Sequence, residues 1–287
     1  MTAPTACDRR PWALRAWLAA VIAAAALATP LARGDEPAPP AVLGQLDGLA
    51  AQRPGVIDVY AVVVGAYGNE EVFRKEAAAV RDALDRRLDT AGRSVTLVNH
   101  RGAPQPEATL DSLGYALKRV AGRMDRDEDV LFLHIASHGS ADHVLSFRHP
   151  ARELQGLTPG RLAALLDETR VRHRVIVISA CYSGGFVPQL ANAGTLVITA
   201  ADRASKSYGC GNDSEITDFS RAFYLKALRQ TRSLIEAARL AQSVTHAEER
   251  ALKRPHSYPQ LRAGASIEDR LRALERELGA RRPALAH

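Results

Sequence analysis

Five short apolar runs, rich in β-branched residues, recur along the chain with amphipathic segments between them, and this pattern leaves few architectures open. They are Ile57–Gly65 (IDVYAVVVG), Ser94–Asn99 (SVTLVN), Asp129–Ser137 (DVLFLHIAS), Arg174–Ser179 (RVIVIS) and Thr195–Ala200 (TLVITA). Each is too short to span a bilayer and too uniformly apolar to leave one face in water. Between them, apolar residues return at helical spacing: Val72, Phe73, Ala77, Val80, Leu84 and Leu88 within Asn69–Asp89, then Leu110, Leu113, Leu117 and Val120 within Thr109–Met124. Thr158–Thr169 reads as a helix capped by Thr158 with Pro159 in its first position. Glu215–Leu228, Ser233–Arg250 and Ile267–Leu278 read as further helices, and His256–Leu261 as a short sixth strand. The alternation predicts an α/β fold of three α/β/α layers around a mainly parallel sheet of about six strands. Right-handed crossovers then put the strand C-terminal ends along one edge, where sites in such sheets lie.

The N-terminus has a different character. Arg9, Arg10 and Arg15 precede an uncharged, alanine-rich stretch, Ala16–Ala32, which together describe a secretory signal with cleavage after Ala28 or Ala32. Export to the periplasm or medium is therefore expected, with an uncleaved anchor as the alternative; membrane contact follows only in that case. The chain divides into a signal over 1–32, a Pro-rich linker and short amphipathic segment over 33–54, a folded domain over 55–265, and a C-terminal helix and tail over 266–287. The formal net charge is +6, but it is spread over mixed Arg, Glu and Asp with no basic run and interleaved aromatics, so nucleic acid is not an expected partner.

Reactive side chains stand at two of the predicted strand ends. One strand ends in Ser137-His138-Gly139-Ser140, another in Ser179-Ala180-Cys181-Tyr182-Ser183-Gly184-Gly185. If the two strands are neighbours, His138 and Cys181 face each other across the edge. A thiol needs a positioned base to become a nucleophile at neutral pH, and the same imidazole can later protonate a leaving amine. The N–H groups of Gly139 and Cys181 are the natural donors for a developing oxyanion. His138 precedes Cys181 by 43 positions, close to the spacing of the same pair in caspases. Other chemistries fit less well. His134, His138 and His143 lack the HExxH pattern of a zinc site, and Ser183 is not in a G-x-S-x-G elbow. No G-x-G-x-x-G element marks a dinucleotide, so neither a metal nor a cofactor is implied. Cys7 would leave with the signal, and Cys181 and Cys210 could form one disulfide in an oxidising compartment.

Together with VFRKE at Val72–Glu76, TAADRASKSYGC at Thr199–Cys210 and TDFSRAFYLKAL at Thr217–Leu228, these motifs carry a resemblance. From about Ile57 to Leu261 the chain resembles the legumain family of cysteine peptidases (peptidase family C13), in a bacterial-type form, a branch of the caspase-like clan. The resemblance implies a caspase-like fold and a peptide or protein substrate. It also implies a thioester mechanism with His138 and Cys181 as dyad and Gly139 as oxyanion donor, and cleavage after Asn or Asp. Arg74 and Asp218 match residues of the pocket for the substrate side chain before the cut, and Ser207 and Tyr208 match a segment that pairs with substrate backbone. Three positions depart from the family pattern. Ser179 stands where plant and animal members have Glu, which should leave Arg74 less neutralised and favour an acidic side chain. Val72 stands in place of an Asn of the catalytic group, so a backbone carbonyl is expected to orient the His. Ser137 replaces an Asp. Relatives that ligate peptides or attach lipid anchors use the same thioester chemistry, so acyl transfer is the alternative activity, and a non-catalytic binding module is the third reading. The sequence leaves the oligomeric state open.

Overall fold

All five apolar runs become strands, because each is buried on both faces. The structure is a computed structural model that describes residues 40–103 and 107–281; the expected signal over 1–32, Cys7 and most of the linker lie outside the described residues. The strands are β1 (Val59–Gly65), β2 (Ser94–Val98), β3 (Val130–Ala136), β4 (Arg148–His149), β5 (Arg152–Glu153), β6 (His173–Ser179), β7 (Thr195–Thr199) and β8 (Gln260–Ala263). Six of them form one sheet in the order β2-β1-β3-β6-β7-β8, and β4 and β5 form a separate small hairpin. All pairings in the large sheet are parallel except that of β7 with β8.

Alternate residues of each strand feed two different cores. Tyr60, Val62 and Val64 of β1, with Leu131, Leu133 and Ile135 of β3, pack on one side. They meet α1 (Pro40–Asp47), α3 (Leu110–Ala121), α4 (Pro159–Thr169) and the short α5 (Val187–Leu190). On the other side, Val59, Ala61, Val63, Val130 and Phe132 meet α2 (Glu71–Leu88), α8 (Leu234–Ala251) and α9 (Ala265–Arg281). That layer also contains α6 (Asp218–Ser220) and α7 (Leu228–Gln230), joined by a π-helical stretch, Arg221–Ala227. The three-layer α/β/α arrangement predicted from the alternation is thus observed. Among the described residues no helix is long and apolar enough to cross a membrane.

The sixth strand begins at Gln260 and not at His256. Pro255 and Pro259 lack the N–H that a ladder needs, and Tyr258 has a φ of 52°. Pairing with β7 therefore starts only after Pro259. The β4–β5 hairpin and the π-helical stretch had no sequence signal of their own.

Strand order fixes where a site can form. From β1 the chain crosses to β2 on one side; from β3 it proceeds through β6 and β7 on the other. The order reverses between β1 and β3, so a crevice opens beyond their C-terminal ends. Gly65, Ala136 and Ser179 lie in register across β1, β3 and β6.

At the opposite end of β6, His173 is buried, with Nε2 3.1 Å from Ser266 Oγ. Burial, reinforced by the charges of Arg270 and Arg172, pushes its pKa down to about 4. Between pH 4 and the ordinary value near 6.5 the unfolded chain binds a proton that the folded one refuses, so stability falls as pH falls through this window. Chemical denaturation at pH 7.5 and pH 4.5 should give a loss about 2 kcal/mol larger for the wild type than for His173→Asn.

Candidate active site

His138 and Cys181 occupy the same offset on adjacent parallel strands: each lies two residues beyond the paired Ala136 and Ser179. The loops that follow are in direct contact. A Cβ on Gly139 would lie 2.1 Å from the carbonyl oxygen of Cys181 and 3.4 Å from the Ala180 Cβ, so no larger residue fits the approach. Gly139→Ala should therefore cost about 2 kcal/mol of stability and lower peptide cleavage at least about tenfold, read by melting and by kcat/KM. His143 braces the same two loops. Its ring lies against Gly185, where a Cβ would meet it at 2.1 Å, and its Nδ1 is 3.2 Å from the Tyr182 carbonyl oxygen. Gly185 thus serves close packing, while the sharp turn after Cys181 falls on Tyr182, with a φ of 56°.

Cys181 is partly exposed and free, as is Cys210; the two are not joined in a disulfide. The Ser207 N–H donates to Cys181 Sγ over 3.3 Å, and the thiol lies 3.6 Å from the Ser207 carbonyl oxygen, to which it can donate. A donor aimed at sulfur helps to hold negative charge that collects there. Ser207 thereby contacts the sulfur directly, a role its sequence did not announce. Cys210 packs beside Phe73, Val72 and Ala136, and burial followed by the proximity of Cys181 pushes its thiol pKa up. Among the described residues neither the Gly139 N–H nor the Cys181 N–H has a hydrogen-bond acceptor.

The imidazole of His138 is held from the β1 side of the crevice. Tyr67 and Phe73 contact its ring edge-on, with centroids 4.6 and 5.1 Å away. Its Nε2 lies 3.4 Å from Glu70 Oε2. Glu70 is the N-cap residue of α2 but makes no capping bond with its side chain, which turns to the histidine instead. The orienting group is thus a carboxylate and not the backbone carbonyl expected from the sequence. A cleft of about 370 Å³ begins at His138 and Gly139 and continues past Phe147, Arg148, Glu153 and Leu154 of the β4–β5 region.

The remaining predicted residues fall into separate groups. Arg74 pairs with Glu71, one helical turn away, with its Nε and Nη2 at 2.9 and 2.7 Å from Glu71 Oε2. The guanidinium beside it, with His100, holds the Glu71 carboxyl below its usual range against a smaller opposing effect of burial. Asp218 pairs with Arg221 at 3.1 Å and Arg254 at 2.9 Å, and no ion pair joins it to Arg74. Tyr208 lies under the Arg254 guanidinium, 5.1 Å from its ring centroid, and donates its hydroxyl to the Pro255 carbonyl oxygen. Ser179 is 2% exposed and its hydroxyl is bonded to Thr217 Oγ1 at 2.8 Å, so it faces the interior and lines no open pocket.

That interior is a polar network beneath the site. Glu76, fully buried, accepts from Ser220 Oγ at 2.6 Å and from the Thr217 N–H at 2.9 Å, and lies 3.1 Å from His134 Nε2. Tyr224 OH lies 3.0 Å from His134 Nδ1. With Tyr224 donating to Nδ1 and Nε2–H donating to Glu76, both nitrogens of the buried ring are satisfied. Burial alone would raise the Glu76 carboxyl; the hydrogen bonds and charge of its partners outweigh it and hold the group below the usual range. Burial, then the Glu76 charge, pushes the Tyr224 hydroxyl well up, so it stays a donor.

A model of the peptidase C13 family matches residues 116–258, a span that contains His138, Cys181 and Asp218 but begins after α2 and so excludes Glu70 and Arg74. Among solved structures, caspase-1 from Spodoptera frugiperda is similar with a TM-score of 0.50 and 14% identity, covering 75% of this chain and 94% of that one. A structure of pro-sf-caspase-1 is similar at 0.47 and 12%, covering 74% and 92%. No curated protein matches the chain. The family match and a shared strand-and-helix scaffold agree: the chain belongs to the peptidase C13 family, has a caspase-like fold and a function of the cysteine-peptidase type.

Proposed function

We propose that the chain is an endopeptidase that cleaves after Asn or Asp with Cys181 as nucleophile and His138 as base. What supports this most is the equal offset of the two residues on neighbouring strands, beside two amide N–H groups with no acceptor. With Nε2–H donated to Glu70, His138 keeps its lone pair on Nδ1, where it takes the thiol proton. Sulfur adds to the scissile carbonyl carbon, and the oxyanion is held by the amides of Gly139 and Cys181. The C–N bond then breaks, the amine leaves with the proton from His138, and water activated by the same imidazole hydrolyses the thioester.

Specificity follows from charge balance around Arg74. The loss of an acid at Ser179 is offset by Glu71, which already pairs with Arg74, so an amide is accommodated as readily as an acid. Peptidyl inhibitors with Asn or Asp before a thiol-reactive group should both label Cys181, and Glu71→Gln should shift the ratio several-fold toward Asp. Absence of labelling by either would overturn the reading, and product masses in the presence of an added amine peptide separate hydrolysis from acyl transfer. Export by the segment over 1–32 belongs to the same proposal.

A further inference from the structure

Away from the crevice, two imidazoles meet in a cavity of about 300 Å³ at the C-terminal part of α8. Its lining includes Gln242, His246, Glu249, His256, Tyr258 and Gln260. His246 Nε2 and His256 Nε2 are 3.0 Å apart. Behind His256, its Nδ1 lies 3.2 Å from Glu249 Oε2. Glu249 is itself buried, and both of its oxygens accept from the Ser257 N–H at 3.1 Å.

A carboxylate that takes Nδ1–H leaves the lone pair of that ring on Nε2, and a buried carboxylate behind a histidine is the usual support of a metal-bound imidazole. His256 Nε2 is thus prepared as a ligand. Zinc–nitrogen bonds are about 2.1 Å long, so two nitrogens at the tetrahedral angle on one ion are about 3.4 Å apart. The two Nε2 atoms, in hydrogen-bond contact at 3.0 Å, need part by only about 0.4 Å to share such an ion. His246 is exposed on the helix, which leaves the pair open to solvent. Among the described residues no third His, Cys, Asp or Glu joins them, so water would complete the coordination.

We infer that His246 and His256 form a two-imidazole site for a borderline divalent transition-metal ion such as Zn²⁺, with Glu249 orienting His256. The site also has a place in the architecture. Two residues before His256, Arg254 holds Asp218 at 2.9 Å and covers the Tyr208 ring, and Pro255 accepts the Tyr208 hydroxyl. An ion joining His246 to His256 ties α8 to the loop that carries these contacts. Any effect on substrate choice rests on the reading of Asp218 and Tyr208 above; the metal site itself does not.

The test uses the full chain without an affinity tag and with Cys181→Ala, so that the thiol cannot compete for the ion. Calorimetric titration with Zn²⁺ should give one equivalent bound at low-micromolar affinity, and Co²⁺ should produce a visible absorption band. His246→Ala and His256→Ala should each weaken Zn²⁺ binding at least about tenfold, and Glu249→Gln by about tenfold. Zn²⁺ should raise the melting temperature of the parent but not of the His246→Ala/His256→Ala double variant. Should His256→Ala fail to fold, the exposed His246→Ala decides alone. No binding below millimolar Zn²⁺, or undiminished binding without both imidazoles, overturns the site.

Discussion

Cys181→Ala should lower kcat/KM for a peptide substrate by about 10⁴-fold or more while the melting temperature moves by only a few degrees. In the proposed mechanism Cys181 forms the covalent bond to substrate. Its neighbour Ser207 offers the sulfur an N–H, a carbonyl oxygen and a hydroxyl at 3.8 Å, and a hydroxyl is a far weaker nucleophile than a thiolate without a base of its own. His138→Ala should cost a comparable factor, because it removes the proposed base, whose ring Glu70 holds at Nε2. The double variant should be no worse than either single one, as residues that act in one step fail together. Purified variants assayed side by side, with thermal melts as the folding control, decide this. Full activity in Cys181→Ala would end the dyad assignment.

The second large effect concerns stability. Glu76→Ala should destabilise the fold by about 3–5 kcal/mol, because it leaves His134, Ser220 and the Thr217 N–H without their acceptor in a region closed to water. For a chain of this size that corresponds to a fall of roughly 10 °C in melting temperature. Glu76→Gln keeps the shape and one acceptor, and should lose about half as much. Activity should drop in both, since Thr217 links Glu76 to Ser179, two residues before the nucleophile. Equal stability of Glu76→Ala and wild type would mean that the network contributes nothing.

Much of this was legible in one dimension. Strands buried on both faces write themselves as unbroken apolar runs, and the placement of His138 and Cys181 at two such ends needed only the rule that parallel strands finish together. What stayed hidden came from distance along the chain. Glu70 lies 68 residues before His138, and nothing local distinguishes it from Glu71, whose partner is instead Arg74. Arg74 and Asp218 looked like one pocket, yet each has closer partners supplied by its own helix or by the loop at Arg254. Glu76 sits in a helix rich in charged residues, and only tertiary packing puts it at zero exposure. His134 reads as an interruption in an apolar strand; its meaning appears once Tyr224 and Glu76 arrive from two other elements.

The close seating of Gly139 on Cys181, and of His143 on Gly185, has an evolutionary consequence. A reaction centre wedged together in this manner tolerates little drift in its own residues. On the proposed reading of the specificity pocket, change would be channelled outward, to Glu71, Arg74, Asp218 and the loop at Arg254, where single charges can be exchanged without loosening the wedge. Under that reading, descendants of such a chain would diversify in what they cut long before they changed how they cut it.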